Sequence, residues 1–470
     1  MSDAEPQFGE RLPKGAFDVI VVGGGVAGLV VARDLGKAGR RVLLLEGSGR
    51  LGGEVRRHTV AGIDLDAGAE SFATRGDTIA RLATQLGLGN DIVTPDPRGA
   101  WVVEADGAAF PLPKTGLLGI PGTALAQDVI DVIGTKAAMR AEMDSLLPGP
   151  VGAKEQKLGA LVRRRMGDAV LERLVAPVVM GVHSAHPDDL DVDRVAPGLR
   201  AQLLKQNSLA RAVREMRALA PAGSAVGGIR YGMARLVDEL VADLETYGVE
   251  VRLGARVRSY DPGSVTLDSG ERIAGGAVVV ALGARDAAVL DGSASTTGST
   301  SPQEPQVGLI TLVTLVVDDP ALDAGPRGTG VLIAPGAAEA SGIRAKALTH
   351  ASIKWAWVAE RAEGKHVLRL SYDSPIVDRS TSDADLRAMA TQDAGLILGA
   401  PLAPSSVEGV ARVEWDAPYR GTPASTPEGV LRVGGAVAGR GLAGVVKDAR
   451  EKAASLLETG EESPILRTDL

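Results

Sequence analysis

No cysteine occurs among the 470 residues. That excludes disulfides, iron–sulfur clusters, thiolate nucleophiles and a thiolate attachment for a flavin. Aromatic side chains are scarce at 3%, with four Phe, five Tyr and four Trp, which leaves little material for an aromatic cage around a cationic amine. The most apolar stretch, residues 19–32, is too short and too rich in glycine to span a bilayer. The start, Met1-Ser-Asp-Ala-Glu-Pro-Gln-Phe, lacks the positive leader and apolar core of a signal peptide. The expectation is therefore a soluble cytoplasmic protein with no transmembrane segment. Positive charge is in deficit, 51 Lys and Arg against 59 Asp and Glu, a formal −8. This argues against a nucleic-acid partner, and an anionic substrate would need cations gathered locally. Histidine is also sparse. His183 and His186 stand three apart, but their neighbours Asp188, Asp189 and Asp191 lie in a loop, so hydrogen-bonded loop histidines are expected and no metal.

Against these absences, the composition is globular, 45% hydrophobic and 23% charged, and long enough for two or three domains. Asp18-Val-Ile-Val-Val-Gly23-Gly24-Gly25-Val-Ala-Gly28-Leu29, followed by Arg41-Val-Leu-Leu-Leu-Glu46, predicts a strand, a glycine turn, a helix and a second strand ending in a carboxylate. Gly23 allows the tight turn, Gly25 the approach of backbone N–H groups to a pyrophosphate, and Gly28 close packing of helix on sheet. Glu46 lies 18 residues beyond Gly28, near the spacing of an acid that accepts hydrogen bonds from ribose hydroxyls. This pattern alone leaves FAD and NAD(P) open. Arg50-Leu51-Gly52-Gly53 follows directly and favours FAD: two glycines permit a second close approach of backbone to cofactor, and Arg50 can sit near a phosphate. The extension resembles that of the flavin amine oxidase superfamily.

Further along, residues 60–68 alternate apolar and polar as a strand, and residues 77–88 as an amphipathic helix. A hairpin across Asp106-Gly107 joins Trp101-Val-Val to Ala109-Phe-Pro. Residues 123–219 read as largely helical, with the triple arginine 163–165 as a solvated face. A helix over 234–247, strands at 250–253 and 255–260, a hairpin around Gly270 and a buried strand over 277–283 follow. Apolar, β-branched strands are expected at 307–317, 330–335, 345–353, 355–359, 366–372 and 405–415, with a helix over 383–398. At the end, Val430-Leu-Arg-Val-Gly434-Gly435 leads from a strand into a double glycine, and a helix opens at Gly441.

Asp66-Ala-Gly68-Ala-Glu70-Ser71-Phe72, Phe110-Pro-Leu-Pro113-Lys-Thr-Gly, Leu158-Gly-Ala-Leu-Val-Arg-Arg-Arg-Met-Gly167-Asp168, Pro177-Val-Val-Met-Gly181-Val-His183 and Trp415-Asp-Ala-Pro418-Tyr419 come in this order. Together they resemble the oxygen-dependent porphyrinogen oxidases, in particular the soluble bacterial branch acting on coproporphyrinogen III. The resemblance implies an α/β with α+β fold of three parts: a Rossmann-type FAD-binding domain (1–85, 225–290 and 425–470), a mixed-sheet substrate-binding domain (86–122 and 291–424) and an inserted helical domain (123–224). It implies FAD as cofactor and removal of six electrons from a porphyrinogen in three two-electron steps. O2 is the acceptor and H2O2 is released, within haem biosynthesis and beside other haem-pathway enzymes. Flavin N5 carries the chemistry, so no catalytic side chain is assigned.

Carried over, the FAD contacts are Gly23, Gly24, Gly25, Gly28, Glu46, Arg50, Gly52 and Gly53, with Gly68 and Ala69 near the isoalloxazine. Val257 would contact adenine through its backbone, and Gly435, Val445 and Val446 would close the site. Arg98, Lys114, Lys354, Arg369 and Arg420 are candidates for the substrate's carboxylates. The alternatives are oxidation of protoporphyrinogen IX, an amine oxidase or carotenoid desaturase, and a non-catalytic flavoprotein or haem-pathway partner.

Overall fold

Apolar runs without polar alternation make strands that are buried on both faces, and three such runs build the first sheet. The computed structural model describes residues 16–74, 76–104, 107–114, 116–183, 185–218, 226–291, 308–334, 337–416, 428–439 and 441–461. Phe17–Val22 pairs in parallel with Val42–Leu45 on one side and Arg272–Val280 on the other, and Val22 stands level with both Leu45 and Val280. Glu250–Arg252 extends the sheet beyond Val42–Leu45, and Val430–Arg432 pairs with Arg272–Val280, both in parallel. On one face, the helices Val26–Lys37, Ala234–Thr246 and Leu442–Glu461 bury Leu29, Leu236, Leu240, Val446 and Ala449 against Val19, Val21 and Leu44. On the other, Val265, Leu267 and Ile273 of an antiparallel meander cover Ile20, Leu43 and Leu45.

The second sheet runs Val407–Asp416, Leu309–Val317, His366–Asp373, Ala347–His350, Gly330–Ile333, Trp101–Val103, Ala109–Pro111. It is antiparallel except where Gly330–Ile333 meets Trp101–Val103. The helix Asp383–Leu398 covers one face, burying Leu386, Ala390 and Ile397 against Val313, Leu315 and Leu370. A third core belongs to the helices between residues 127 and 218. The fold is α/β with α+β. Among the described residues no helix is long and apolar enough to cross a membrane.

Four readings change. The expected strand over 345–353 ends at His350, where the helix Ala351–Lys354 begins. The expected strand over 60–68 is a hairpin, Arg57–Val60 against Ile63–Asp66. Ala61 and Gly62 both take positive φ, 47° and 80°, which reverses the chain while the alternation continues on the returning arm. Residues 355–359 are not a strand. Trp355-Ala-Trp357 alternates buried and exposed, but Val358 is buried beside Trp357 and Ala362 follows four later, so the segment is the helix Ala356–Ala362. The triple arginine is not a solvated face either.

In the helix Leu158–Met166, Arg165 lies on the stripe of Leu158 and Leu161 and is fully buried. Its Nε donates to Asp144 Oδ1 at 2.5 Å, and its other N–H groups to the carbonyls of Asp144, Pro148, Val151 and Asn207. Asp144 in turn accepts from Ser208 Oγ and Ala210 N. Arg163 forks onto Asp188 at 2.9 and 3.1 Å, and Arg164 pairs with Glu155. A buried ion pair held at both ends adds little over apolar packing, but removing one member strands the other. Arg165→Ala is expected to destabilise the protein by about 3–5 kcal/mol, seen as a lowered midpoint in thermal denaturation. An unchanged midpoint would show that Asp144 has found another partner.

Candidate cofactor site

The site begins where Val22 ends. Gly23 has φ 107°, and a Cβ there would lie 2.6 Å from the Ala281 carbonyl oxygen. The chain then turns into the helix Val26–Lys37, with Gly25 at its N-cap. A Cβ on Gly28 would collide with the Gly23 carbonyl, so the helix can lie this close to the turn only with glycine there. Its N-terminus has no side-chain cap and no acid in its first turn, although Val26 and Ala27 are buried. Unmatched N–H groups at a buried helix start are costly unless something accepts from them, and the aligned peptide dipoles favour an anion. Nothing lies within 4 Å of the position of a Gly25 Cβ. An uncapped helix start facing open space fits a dinucleotide pyrophosphate.

The second glycine pair rests on the first. Gly52 N donates to Gly24 O at 2.8 Å, Gly25 and Gly52 form a parallel bridge, and a Cβ on Gly53 would lie 3.2 Å from Gly25 Cα. Arg50 is exposed, with Nη1 3.4 Å from Gly53 O. Glu46 accepts from Gly24 N at 2.8 Å through Oε2 and from Ser48 N at 2.7 Å through Oε1. Each carboxylate oxygen retains capacity for another donor. Glu46 also bonds through its backbone to Arg252 O and Ala255 N, which brings Val257 to the same end. At the opposite end, a Gly434 Cβ would meet Ala27 Cβ at 2.9 Å, while Gly435 faces open space at the start of Gly435–Ala438. Val445 is half-buried and the Val446 side chain is fully buried in the core.

Gly68 and Ala69 are placed by a charge cluster. A Cβ on Gly68 would collide with the Glu54 carbonyl and lie 3.2 Å from Trp415 Cζ2. Arg369 donates from Nη2 to Gly68 O at 2.5 Å and Ala67 O at 3.3 Å, and its Nη1 is 3.6 Å from Glu70. Lys354 Nζ is 2.5 Å from Glu70 Oε1. Burial pushes the Glu70 carboxyl up, but the charges of Lys354 and Arg369 prevail and hold it below its ordinary range. Asp66, 8% exposed, accepts from Met233 N at 2.9 Å and Ala234 N at 3.2 Å, capping the helix Ala234–Thr246. Burial raises its pKa to about 6 against those two donors, with Glu70 adding to the rise.

Among the described residues only two of the substrate candidates come together, Lys354 and Arg369, and they meet on Glu70. Arg98 pairs with Asp96 at 3.0 Å in a neighbouring loop. Lys354 and Arg369 are engaged with Glu70, and Lys114 is exposed, with its backbone N–H donating to Asp128 Oδ2. Arg420 lies outside the described residues, as does the His183 side chain. His186 Nδ1 accepts from Asp188 N at 3.2 Å. Among the described residues no group of three His, Asp or Glu is placed to hold a metal. Asp66 escaped sequence reading because the helix start it caps is 167 residues away, and a capping signal is local.

A family model described as flavin containing amine oxidoreductase matches residues 26–433. The coproporphyrinogen III oxidase of Mycobacterium tuberculosis (strain ATCC 25618 / H37Rv) is 30% identical over 397 residues, covering 82% of this chain and 84% of that protein. The coproporphyrinogen III oxidase of Bacillus subtilis (strain 168) is 27% identical over 395 residues, covering 78% and 81%. A crystal structure from Exiguobacterium sp. 255-15 superposes with a TM-score of 0.74 at 24% identity, covering 94% of this chain and 98% of that one. That last likeness speaks to the fold.

Two expectations follow. Gly25→Ala meets no atom of the chain, so it is expected to leave the thermal midpoint of the flavin-free protein unchanged and to lower FAD content by at least tenfold; full FAD occupancy would remove Gly25 from the cradle. Asp66 has a folded pKa of about 6 against 3.8 unfolded, so the folded state binds the extra proton. The stability it contributes is complete below about pH 4 and lost as pH rises through about 6. Asp66→Asn keeps an acceptor for the helix start and cannot titrate. Its stability relative to wild type should therefore rise between pH 4 and 7, by up to about 3 kcal/mol, in urea unfolding; a flat difference would place the ionised carboxylate at no disadvantage.

Proposed function

The chain belongs to the family of flavin-containing amine oxidoreductases, is an FAD-dependent oxidoreductase, and from that premise we propose that it oxidises coproporphyrinogen III to coproporphyrin III, with O2 as acceptor and H2O2 released. The observation that carries the substrate is the 30% identity to the Mycobacterium tuberculosis enzyme over 82% of this chain. The same proposal makes it a cytoplasmic enzyme of haem formation, with the three-part division into FAD-binding, substrate-binding and helical domains.

In this reading Gly23, Gly24, Gly25 and Gly28 seat the pyrophosphate at the start of Val26–Lys37, with Gly52, Gly53 and Arg50 beside it. Glu46 accepts from ribose hydroxyls with the lone pairs its backbone donors leave free, and the Val257 backbone lies at adenine. Gly68 and Ala69 line one side of the ring system, and Gly435 and Val445 close the other, with Val446 packed behind them in the core. Bound there, FAD supplies the two-electron oxidation that no side chain of the protein provides.

The protein's own part is orientation and exclusion of water. Arg369 stands opposite Thr314 in the second sheet, and Leu312 stands opposite Ser371 and Val413 in the next row but one. Side chains two apart on a strand share a face. Arg369 reaches Gly68 from that face, so Leu312, Ser371 and Val413 form a wall on the same side as Gly68 and Ala69. Such a wall can hold the macrocycle against the ring system and exclude water while its carboxylates reach outward.

The test is turnover in air with coproporphyrinogen III and with protoporphyrinogen IX, followed by porphyrin fluorescence and peroxide. Faster oxidation of coproporphyrinogen III is the expected outcome, with one peroxide for each electron pair removed. Preference for protoporphyrinogen IX would reassign the substrate, and a bound flavin that neither compound reduces would sink the reading.

A further inference from the structure

Around the wall of the second sheet, cations are matched by acids. Arg379 lies 3.7 Å from Glu414, Arg412 is 2.5 Å from Glu414, and Arg285 is 2.7 Å from Asp416. Arg56 differs. Among the described residues no carboxylate or carbonyl accepts from its guanidinium, which is half-buried and stacked over the Trp415 ring at 4.7 Å. Its charged form is disfavoured by burial and by Arg50, with no acid compensating. Two residues on, in the strand Arg57–Val60, His58 Nε2 is buried with no hydrogen-bond partner among the described residues. Burial holds this imidazole neutral, with a pKa of about 4, and the positive charges of Arg369 and Arg56 add to the effect.

An uncompensated guanidinium, with Arg50 near it and only a neutral imidazole beside it, marks a corner in positive excess. Half-buried charge without a partner is unfavourable, and the excess is relieved by an anion. Arg56 also lines an open cleft of about 720 Å³, with Arg379, Arg412 and Val413 on its walls. The acids of that cleft, Asp383 and Glu414, are already engaged by Arg412. Trp415 lies between Arg56 and Gly68, 3.2 Å from where a Gly68 Cβ would stand. A planar guanidinium stacked on an indole keeps its N–H edge free for a forked contact with a carboxylate.

We infer that Arg56 is a specificity-determining residue that receives a carboxylate of the substrate at the edge of the Gly68–Trp415 wall. This rests on the porphyrinogen reading for the identity of the carboxylate. The same oxyanion chemistry has a second source, a phosphate of the cofactor, because Arg50 shares the neighbourhood.

The experiment uses the FAD-loaded protein and its Arg56→Gln and Arg56→Lys variants. It measures FAD content, and equilibrium binding of coproporphyrin III and of its tetramethyl ester by fluorescence. Arg56→Gln should keep its FAD, bind coproporphyrin III about tenfold more weakly and bind the uncharged ester as wild type does. Arg56→Lys should recover part of the loss. Unchanged coproporphyrin III affinity in Arg56→Gln overturns the inference, and loss of FAD from that variant assigns Arg56 to the cofactor phosphate and overturns it too. Equal ester binding shows that the variant is folded; if Arg56→Gln does not fold, wild-type affinity in Arg56→Lys overturns the forked contact. Binding is read apart from turnover, so a wild type that binds coproporphyrin III tightly without oxidising the porphyrinogen fails the proposed reaction and leaves the Arg56 comparison decisive. A wild type that binds neither porphyrin overturns both.

Discussion

The hydrogen bond from Gly52 N to Gly24 O, at 2.8 Å, fixes the geometry from which the rest of the site follows. It holds two glycine turns against one another at the start of a helix that has no capping side chain and no acid in its first turn. Side chains cannot occupy this junction: a Cβ on Gly24 would lie 3.1 Å from Glu46 Cβ, one on Gly28 would strike Gly23, and one on Gly52 would lie 2.5 Å from the Val55 carbonyl. The contact is therefore backbone on backbone. Its consequence is electrostatic, because unmatched helix N–H groups converge where no residue neutralises them.

A second constraint ties this junction to the other sheet. Asp66 caps the helix Ala234–Thr246, and Arg369, from the second sheet, holds the carbonyls of Ala67 and Gly68. The segment 66–70 is thus pinned from two bodies of the fold at once, with Glu70 binding Lys354 and Arg369 together. Buried charges of this kind add little net stability. What they supply is position: Asp66, Ala67, Gly68 and Glu70 are each held by a donor from another part of the fold. Lys354 and Arg369 serve that placement, which is why they cannot also be spare cations for a ligand.

Much of the first sheet was legible because its signals are local. A glycine spacing, a run of β-branched residues or a carboxylate at a strand end can be read within twenty or thirty residues. The chemistry around Gly68 could not be read this way. The partners of Asp66 are 167 and 168 residues distant, and the carbonyls that Arg369 holds are 301 and 302 away. Arg165 shows the converse failure, since three consecutive arginines look like surface although helical geometry carries one of them into the core. Trp355-Ala-Trp357 failed for a third reason: three residues of alternation fit a strand and the edge of a helix equally well.

The unpaired Arg56 has meaning only against this background of pairing. In a chain of net charge −8, acids outnumber cations, so a half-buried arginine has many possible partners and its lack of one among the described residues is informative. Aspartate or glutamate in the cleft would have matched it, yet those present, Asp383 and Glu414, are held by Arg412. The indole of Trp415 offers a weak quadrupolar attraction that orients the guanidinium without neutralising it. A protein can in this way reserve positive charge for an anionic ligand while remaining acidic overall. In the proposed reading the glycines seat the cofactor and the unmatched cation receives a carboxylate of the substrate, with Trp415 in contact with both Arg56 and the Gly68 backbone.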